Sequence, residues 1–358
     1  MVYAGAKETS FILENMSENR SEIKQLGEFG LIDRIKQQFN LTHHSSMTGI
    51  GDDAAVIDIG EECLLVTTDM LLEGIHFDLA FTPLHHLGYK SVVANVSDIA
   101  AMNGRPQQIT VSIALSNRFS IEAVDALYAG IKAACENYKV DLVGGDTTAS
   151  ASGLVISITA LGRAKRNDVA YRTGAQPNDI ICVTGDLGAA LAGLQVLERE
   201  KEVFLANPSM QPDLEKYEYV VGRQLKPEAR TDIVFDLAEA GVKPTAMIDV
   251  SDGLASELFH ISNNSNVGVR IYEDKVPIDH STYETAIEFK MDPITCALNG
   301  GEDYELLFTI NKSDQEKIKN HPDIHFIGYT HERKSENVLI TKQGTVVPLK
   351  AQGWDHFR

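Results

Sequence analysis

The sequence predicts an α/β protein in two blocks, on three observations. Strand-like apolar runs alternate with helix-period runs along nearly the whole chain. The series restarts after "YRTGAQPND", where Gly174 and Pro177 mark a turn. The 358 residues, 43% hydrophobic and 23% charged, are enough for two cores in ordinary globular proportion. The join falls near residue 168, giving blocks 27–167 and 168–358.

Residues 1–26 mix Ser, Glu, Asn and Lys without period and read as a disordered tail or a cloning remnant. "EFGLIDRIKQQF" places Leu31, Ile32, Ile35 and Phe39 on one helical face, and the fold is expected to begin there. The first block continues as "AVIDIG", "CLLVTTD", a helix over 85–102, "TVSIAL", a long helix with Ser120 as its N-cap, "VDLVGGD" and "LVISITALG". The second runs "IICVTGDLG", an Ala/Leu-rich helix, "MIDVSDG", another helix, "VGVRIY" and "YELLFTI". Between its first helix and "MIDVSDG", residues 200–228 are charged and carry Pro208, Pro212 and Pro227, which predicts a surface excursion.

A formal net charge of -19 argues against nucleic acid and anionic membranes as partners, since both need clustered Lys and Arg. The four cysteines, Cys63, Cys135, Cys182 and Cys296, form no CxxC pair and fit buried thiols in a reducing compartment. No apolar run approaches the roughly 18 residues of a membrane span, and no cationic leader precedes an apolar core. The expectation is a soluble, cytoplasmic protein.

A phrase recurs at strand ends: an acid beside Gly or Ser, as in "GIGDDA", "VGGDTT", "VTGDLG", "IDVSDG" and "NGGEDYE". Any one of these is explained by a turn, because Gly, Asp, Asn and Ser favour turns for backbone reasons. Five such cases, some with paired acids, ask for more. "GIGDDA" matches the loose dinucleotide pattern G-x-G-x-x-A, but "HHSSMT" before it is polar, "AVIDIG" after it is strand-like, and two carboxylates stand where a pyrophosphate would bind. No G-x-x-x-x-G-K-[ST] loop occurs, nor H-R-D with D-F-G. His85 and His86 are adjacent, and His321 and His325 flank a proline, so no zinc-hydrolase pattern reads out.

Oxygen chemistry remains. Asp53, Thr67, Thr68, Asp69, Asp98, Asp146, Asp249 and Asp252 are hard ligands of the kind Mg²⁺ takes, and that ion usually uses one or two carboxylates plus substrate phosphates. Several scattered aspartates suggest several ions around a polyphosphate. Two unit anions about 4 Å apart repel by about 4 kcal/mol at an effective dielectric of about 20. An acidic protein that joins two phosphorylated substrates therefore needs cations. The bland readings stand beside this one: "LVTTDML" as a strand entering a turn, "GGEDYE" as a tight turn, and Trp354 as a packing anchor. Asp98, on an apolar helix, is costly to bury without a cation.

Taken in order, "GIGDDAAV", "TTDMLLEGIHF", "NVSDIAAM", "LVGGDTT", "YRTGAQPND", "MIDVSDGLASEL" and "GGEDYELLFT" resemble the thiamine-monophosphate kinase family, from about Glu28 to the C-terminus. Sibling families share the Asp-rich theme but not "GIHF", "GGEDYELLF" and the terminal "WDHF" together. The resemblance implies a two-domain aminoimidazole ribonucleotide synthetase-like fold whose N-terminal domains pair in a homodimer to form a β-barrel. It implies phosphorylation of thiamine monophosphate to thiamine diphosphate with ATP as co-substrate and several Mg²⁺ ions, by direct in-line transfer. The same eight residues match family metal ligands, and Asp53, Asp69, Asp98, Asp146 and Asp249 would carry the catalysis. Tyr128, Gly145, Asp146, Arg172 and Ser251 match nucleotide contacts; His76, Glu302 and Trp354 match contacts to thiamine phosphate.

Two places depart from the family pattern. Ala189 and Ala190 stand where Asp-Ser is common, and Lys226 where Arg is usual, so no nucleotide contact is assigned there. Competing readings are a sibling ATP-dependent synthetase, a non-catalytic nucleotide- or metal-binding dimer, and a Mg²⁺ phosphatase. The first lacks "GGEDYELLF" and "WDHF", the second would need a lost ligand, and the third an activated water or nucleophilic Asp.

Overall fold

A computed structural model describes residues 23–333 and 336–351. The predictions placed on residues 1–22 and on Trp354 lie outside the described residues. The described residues 23–41 belong to a unit separate from that of residues 42–351, and their helix α1 (Gly27–Lys36) is described by itself. The predicted apolar spacing does make a helix, but none of its residues is buried and Phe39 lies beyond its end, 70% exposed. The first α-helix among the described residues thus lies where the sequence places it, with its apolar side chains half-buried or exposed.

The first sheet contains β1 (Ser46–Thr48), β2 (Ala55–Asp58), β3 (Glu62–Leu72), β4 (Arg105–Leu115), β5 (Asp141–Ala149) and β6 (Leu154–Lys165), in the order β1-β2-β3-β6-β4-β5. All pairs are antiparallel except β4–β5. That parallel pair needs a crossover, and α3 (Ile121–Tyr138) supplies it. Ser120 caps α3 as predicted, its hydroxyl accepting from the Ala123 amide at 3.3 Å. Strand alternation buries Leu154, Ile156, Ile158 and Ala160 of β6 on one face, against α3 and α2 (Leu84–Ala101). The two helices approach at glycines: a Cβ on Gly88 would meet the Leu127 carbonyl oxygen at 2.0 Å, and one on Gly130 that of His85 at 1.8 Å. An Ala at either position would push them apart.

The second sheet contains β7 (Ile180–Thr184), β8 (Ala246–Asp249), β9 (Val267–Tyr272), β10 (Leu306–Ile310), β11 (Ile324–Glu332), β12 (Val338–Ile340) and β13 (Val346–Pro348), in the order β13-β12-β9-β11-β7-β10-β8. Its helices are α4 (Ala189–Ala206), α5 (Glu218–Leu225), α6 (Thr231–Glu239), α7 (Leu254–Ser265), α8 (His280–Glu288), α9 (Pro293–Asn299) and α10 (Gln315–Ile318). β8 and β10 are buried throughout because both faces are covered. Leu254, Leu258 and Ile261 of α7 meet Ile181, Val183 and Ile248 on one side. Ile233, Val234 and Leu237 of α6 join Cys182, Met247 and Phe308 on the other, together with Ala100 and Ala101 of α2.

Helix α2 thus contributes to the cores of both sheets, which explains why it is apolar nearly all round. Interleaved strands and helices suggest parallel βαβ units, yet within the second sheet β9–β12 is the one parallel pair among the described residues. The fold is a mixed α/β arrangement of two sheets. The first sheet is open, with β1 and β5 at its edges, so one chain holds no closed barrel among the described residues. The expected surface excursion over 200–228 holds for residues 201–216, which are exposed or half-buried, and fails from Tyr217 on. Tyr217 with Val220, Val221 and Leu225 packs on Ala192 and Val196 of α4, a helical spacing that the prolines and charges around it obscured. All four cysteines are free, three of them buried and Cys135 partly so.

Candidate active site

The site is organised by about one turn of α2, Asn95 to Asp98. Alternation along β3 sends Thr67 and Asp69 to one face and Thr68 to the other. The Thr67 hydroxyl donates to Asp98 Oδ2 at 2.5 Å, and the Asp69 amide donates to Asn95 Oδ1 at 3.1 Å. Ser97 Oγ donates to Asp249 Oδ2 at 2.6 Å, tying the last residue of β8 to the same helix. Carboxylate oxygens of Asp53, Asp98 and Asp249 lie within 4.8 Å of one another.

The paired aspartates have divided tasks. Asp52 accepts from the backbone amides of Asp53 at 3.1 Å and Arg172 at 3.2 Å, fixing the turn against the segment that joins the sheets. Asp53 turns inward: its Oδ1 accepts from Arg172 Nη2 at 2.6 Å and Nε at 3.2 Å. Its Oδ2 is buried with no hydrogen-bond partner.

Electrostatically the cluster is strained. Burial first, then the Asp53 charge, pushes Asp249 up to about 7 and Asp69 up to about 6. Burial, then Asp69, Asp249 and Asp53, holds Asp98 well above the usual carboxylate range. Asp52 is pushed up to about 7, by burial and then by Asp53. A divalent cation fits this donor set: the ligands are hard oxygens, one is orphaned, and their mutual repulsion is what a cation removes.

A pH dependence follows. Folded carboxyls raised in this way bind protons more tightly than the unfolded chain, whose carboxyls titrate near about 4. Their contribution to stability therefore falls as pH rises from about 4 through about 7. In chelator, the thermal midpoint is expected to drop between about pH 6 and about pH 8, and Mg²⁺ is expected to raise it more at the higher pH. Thermal unfolding across that range checks this; a midpoint that climbs with pH in chelator contradicts it.

The other sequence-predicted residues are placed variously. Thr68 turns its hydroxyl away from the cluster, onto the Ile158 carbonyl at 3.0 Å. Asp146 is exposed on edge strand β5 and accepts from the Thr147 amide at 2.9 Å; Gly145 precedes it, paired with Val111. Tyr128 on α3 is partly buried against the first core. Ser251 and Asp252 follow β8, where the Ser251 carbonyl accepts from the Glu302 amide at 2.7 Å and the Asp252 amide donates to Glu257 Oε1 at 3.0 Å. Glu302 sits in the left-handed region, φ 65°, and its Oε2 accepts from Lys90 Nζ at 2.8 Å and Gln224 Nε2 at 2.9 Å. His76 Nδ1 accepts from the Leu72 amide at 3.0 Å.

Sequence reasoning missed the residues that hold these groups. Asn95 and Ser97 lie inside the quoted "NVSD", but a mid-helix polar residue has no sequence signal for the partner it reaches. Glu257 is fully buried behind the "VSDG" turn, and burial holds its carboxyl high. Asp303 caps the start of α4, accepting from the amides of Gly188 at 2.7 Å and Ala190 at 3.3 Å. Glu305 is bracketed by Arg223 and Arg230, each at 3.0 Å, and accepts from the Thr184 hydroxyl at 2.6 Å. The acids of "GGEDYE" thus have different tasks, with Asp303 and Glu305 linked through Arg223.

Two sheets meeting at an acid cluster define a class, and both halves match it: AIR synthase related protein, N-terminal domain, over residues 51–164, and its C-terminal domain over 176–339. The hydrogenase maturation protein HypE in complex with ATP shares this fold at TM-score 0.66 and 18% identity, across 96% of this chain and 98% of that one. Nearer relatives narrow the class. Thiamine-monophosphate kinase of Bacillus subtilis strain 168 is 34% identical over 93% of this chain and 100% of its own length, and that of Aquifex aeolicus strain VF5 35% over 94% and 99%. A structure described as AaThiL complexed with AMPPCP and TMP superposes with a TM-score of 0.79 at 33% identity, covering 94% of this chain and 99% of that one. The chain belongs to the thiamine-monophosphate kinase family.

Proposed function

We propose that the chain transfers the terminal phosphoryl group of ATP to thiamine monophosphate, giving ADP and thiamine diphosphate, the last step in making that cofactor. The observation that carries this is the convergence of Asp53 from the turn before β2, Asp98 from α2 and Asp249 from the end of β8, in a chain alike over nearly all its length to one solved with AMPPCP and TMP. The acceptor phosphate is already anionic at neutral pH, so the reaction needs no general base; it needs two repelling phosphates held in line. Bound magnesium supplies that charge neutralisation. Asp53, Asp98 and Asp249, supported by Thr67, Asp69 and Asp252, would hold it, with Asp146 serving a further ion; the Thr68 hydroxyl, turned onto the Ile158 carbonyl, is left out of the set.

Arg172 stands at the edge of the cluster, where its fixed charge can bear on the triphosphate, and Tyr128, Gly145, Asp146 and Ser251 are assigned to the nucleotide. His76, Glu302 and Trp354 are assigned to thiamine phosphate. The His76 ring is held in the turn after β3 by the Leu72 amide, which donates to its Nδ1 at 3.0 Å. The domain boundary belongs near residue 168, between the last strand of the first sheet and the first of the second.

A homodimer through β5 is also part of the reading. That edge strand is exposed along all nine residues, Leu142 and Val143 included, and an open apolar edge calls for a pairing partner. Sedimentation of the purified protein as a dimer supports it; a monomer at micromolar concentration contradicts it. Incubation with ATP, Mg²⁺ and thiamine monophosphate tests the activity itself. Thiamine diphosphate is the expected product; phosphate release without it indicates a hydrolase, and binding without turnover a sensor.

A further inference from the structure

Helix α2 carries two buried serines that use their hydroxyls differently. Ser91 bonds back to the Gly88 carbonyl of its own helix at 2.8 Å, the usual choice for a serine inside a helix. Ser97, with no exposed area, instead reaches across to Asp249 Oδ2 at 2.6 Å. Successive helical residues point about 100° apart. The next side chain, Asp98, accordingly faces the first sheet and takes its hydrogen bond from Thr67 on β3, while Ser97 faces β8 of the second. Asp249 is 2% exposed and sits at the end of its strand, so a small tilt of one sheet against α2 would move its oxygens relative to those of Asp53 and Asp98.

We propose that Ser97 is a positioning residue for the phosphoryl-transfer site: its hydroxyl holds the Asp249 carboxylate in register with Asp53 and Asp98, coupling completion of the cation-binding set to the docking of the two sheets on α2. A hydroxyl has a single proton to donate, and placing it on Oδ2 fixes how the carboxylate is turned. Groups that orient metal-binding side chains from behind typically change affinity by about 10-fold to about 100-fold when removed. The proposal rests on the cation reading given above, and its test separates the two.

The experiment is a Mn²⁺ titration of the full-length protein without nucleotide, followed by electron paramagnetic resonance, for wild type and Ser97→Ala. The Ala variant is expected to bind the ion about tenfold more weakly or worse, and to need correspondingly more Mg²⁺ for half-maximal turnover. Thermal unfolding of both proteins in chelator reads the purely structural effect separately. Wild-type Mn²⁺ affinity in Ser97→Ala, even with a lowered thermal midpoint, overturns the proposal. Absence of Mn²⁺ binding by wild type overturns the cation reading itself. Should Ser97→Ala fail to fold, Ser97→Cys keeps the volume with a much weaker donor and is read by the same criteria.

Discussion

Asp53→Asn is expected to lower thiamine diphosphate formation by about a thousandfold or more while the protein stays folded. The substitution keeps the shape but removes the one cluster carboxylate that has an oxygen buried without a partner. Leaving about 4 kcal/mol of phosphate repulsion unscreened is enough for a loss of that size. The amide can still accept from Arg172 through its oxygen, so the turn held by Asp52 should persist. Chromatographic assay of the diphosphate, alongside circular dichroism, decides the matter. Activity within a few-fold of wild type removes Asp53 from the cation set.

The largest stability effect is expected at Glu305→Ala. Glu305 is 2% exposed and lies between two guanidinium groups, with the Thr184 hydroxyl on the same carboxylate. Its loss leaves Arg223 and Arg230 short of a buried counter-charge, a change that typically costs about 3–5 kcal/mol. Arg223 keeps Asp186 and Arg230 keeps Asp232 and Asp323, which places this case toward the lower end. At about 2–4 °C per kcal/mol for a domain of this size, the thermal midpoint should fall by about 6–12 °C. A shift within about 2 °C shows that the remaining acids suffice.

Much of this was legible in the sequence because the signals were local. Apolar runs located β3, β4, β6, β7, β9 and β10, and Ser120 announced the start of α3. Hard oxygen ligands beside strands pointed to Asp53 and Asp249, and an acid on an apolar helix to Asp98, since buried acids on apolar elements need a reason. What stayed hidden depends on pairing between distant segments. Nothing in "GIGDDAAV" says which aspartate holds backbone amides and which faces the cluster; that is settled by Arg172, more than a hundred residues away. The antiparallel pairing of β7 with β10 and β11 is likewise a long-range choice. The buried face of α5 was masked by prolines and charges at either end of it. Lys90, Asn95 and Ser97 read as ordinary residues of an apolar helix until the sheet on each side shows what they touch.

The central claim is that carboxylates from the turn before β2, from α2 and from the end of β8 gather divalent cations on one phosphate-binding centre. Crystals grown with Mn²⁺ and a non-hydrolysable ATP analogue test it through anomalous scattering. The account predicts peaks at coordination distance, about 2.0–2.2 Å, from oxygens of Asp53, Asp98 and Asp249, adjoining the nucleotide's phosphates. Manganese bound to the phosphates while these three side chains stay uncoordinated would contradict it.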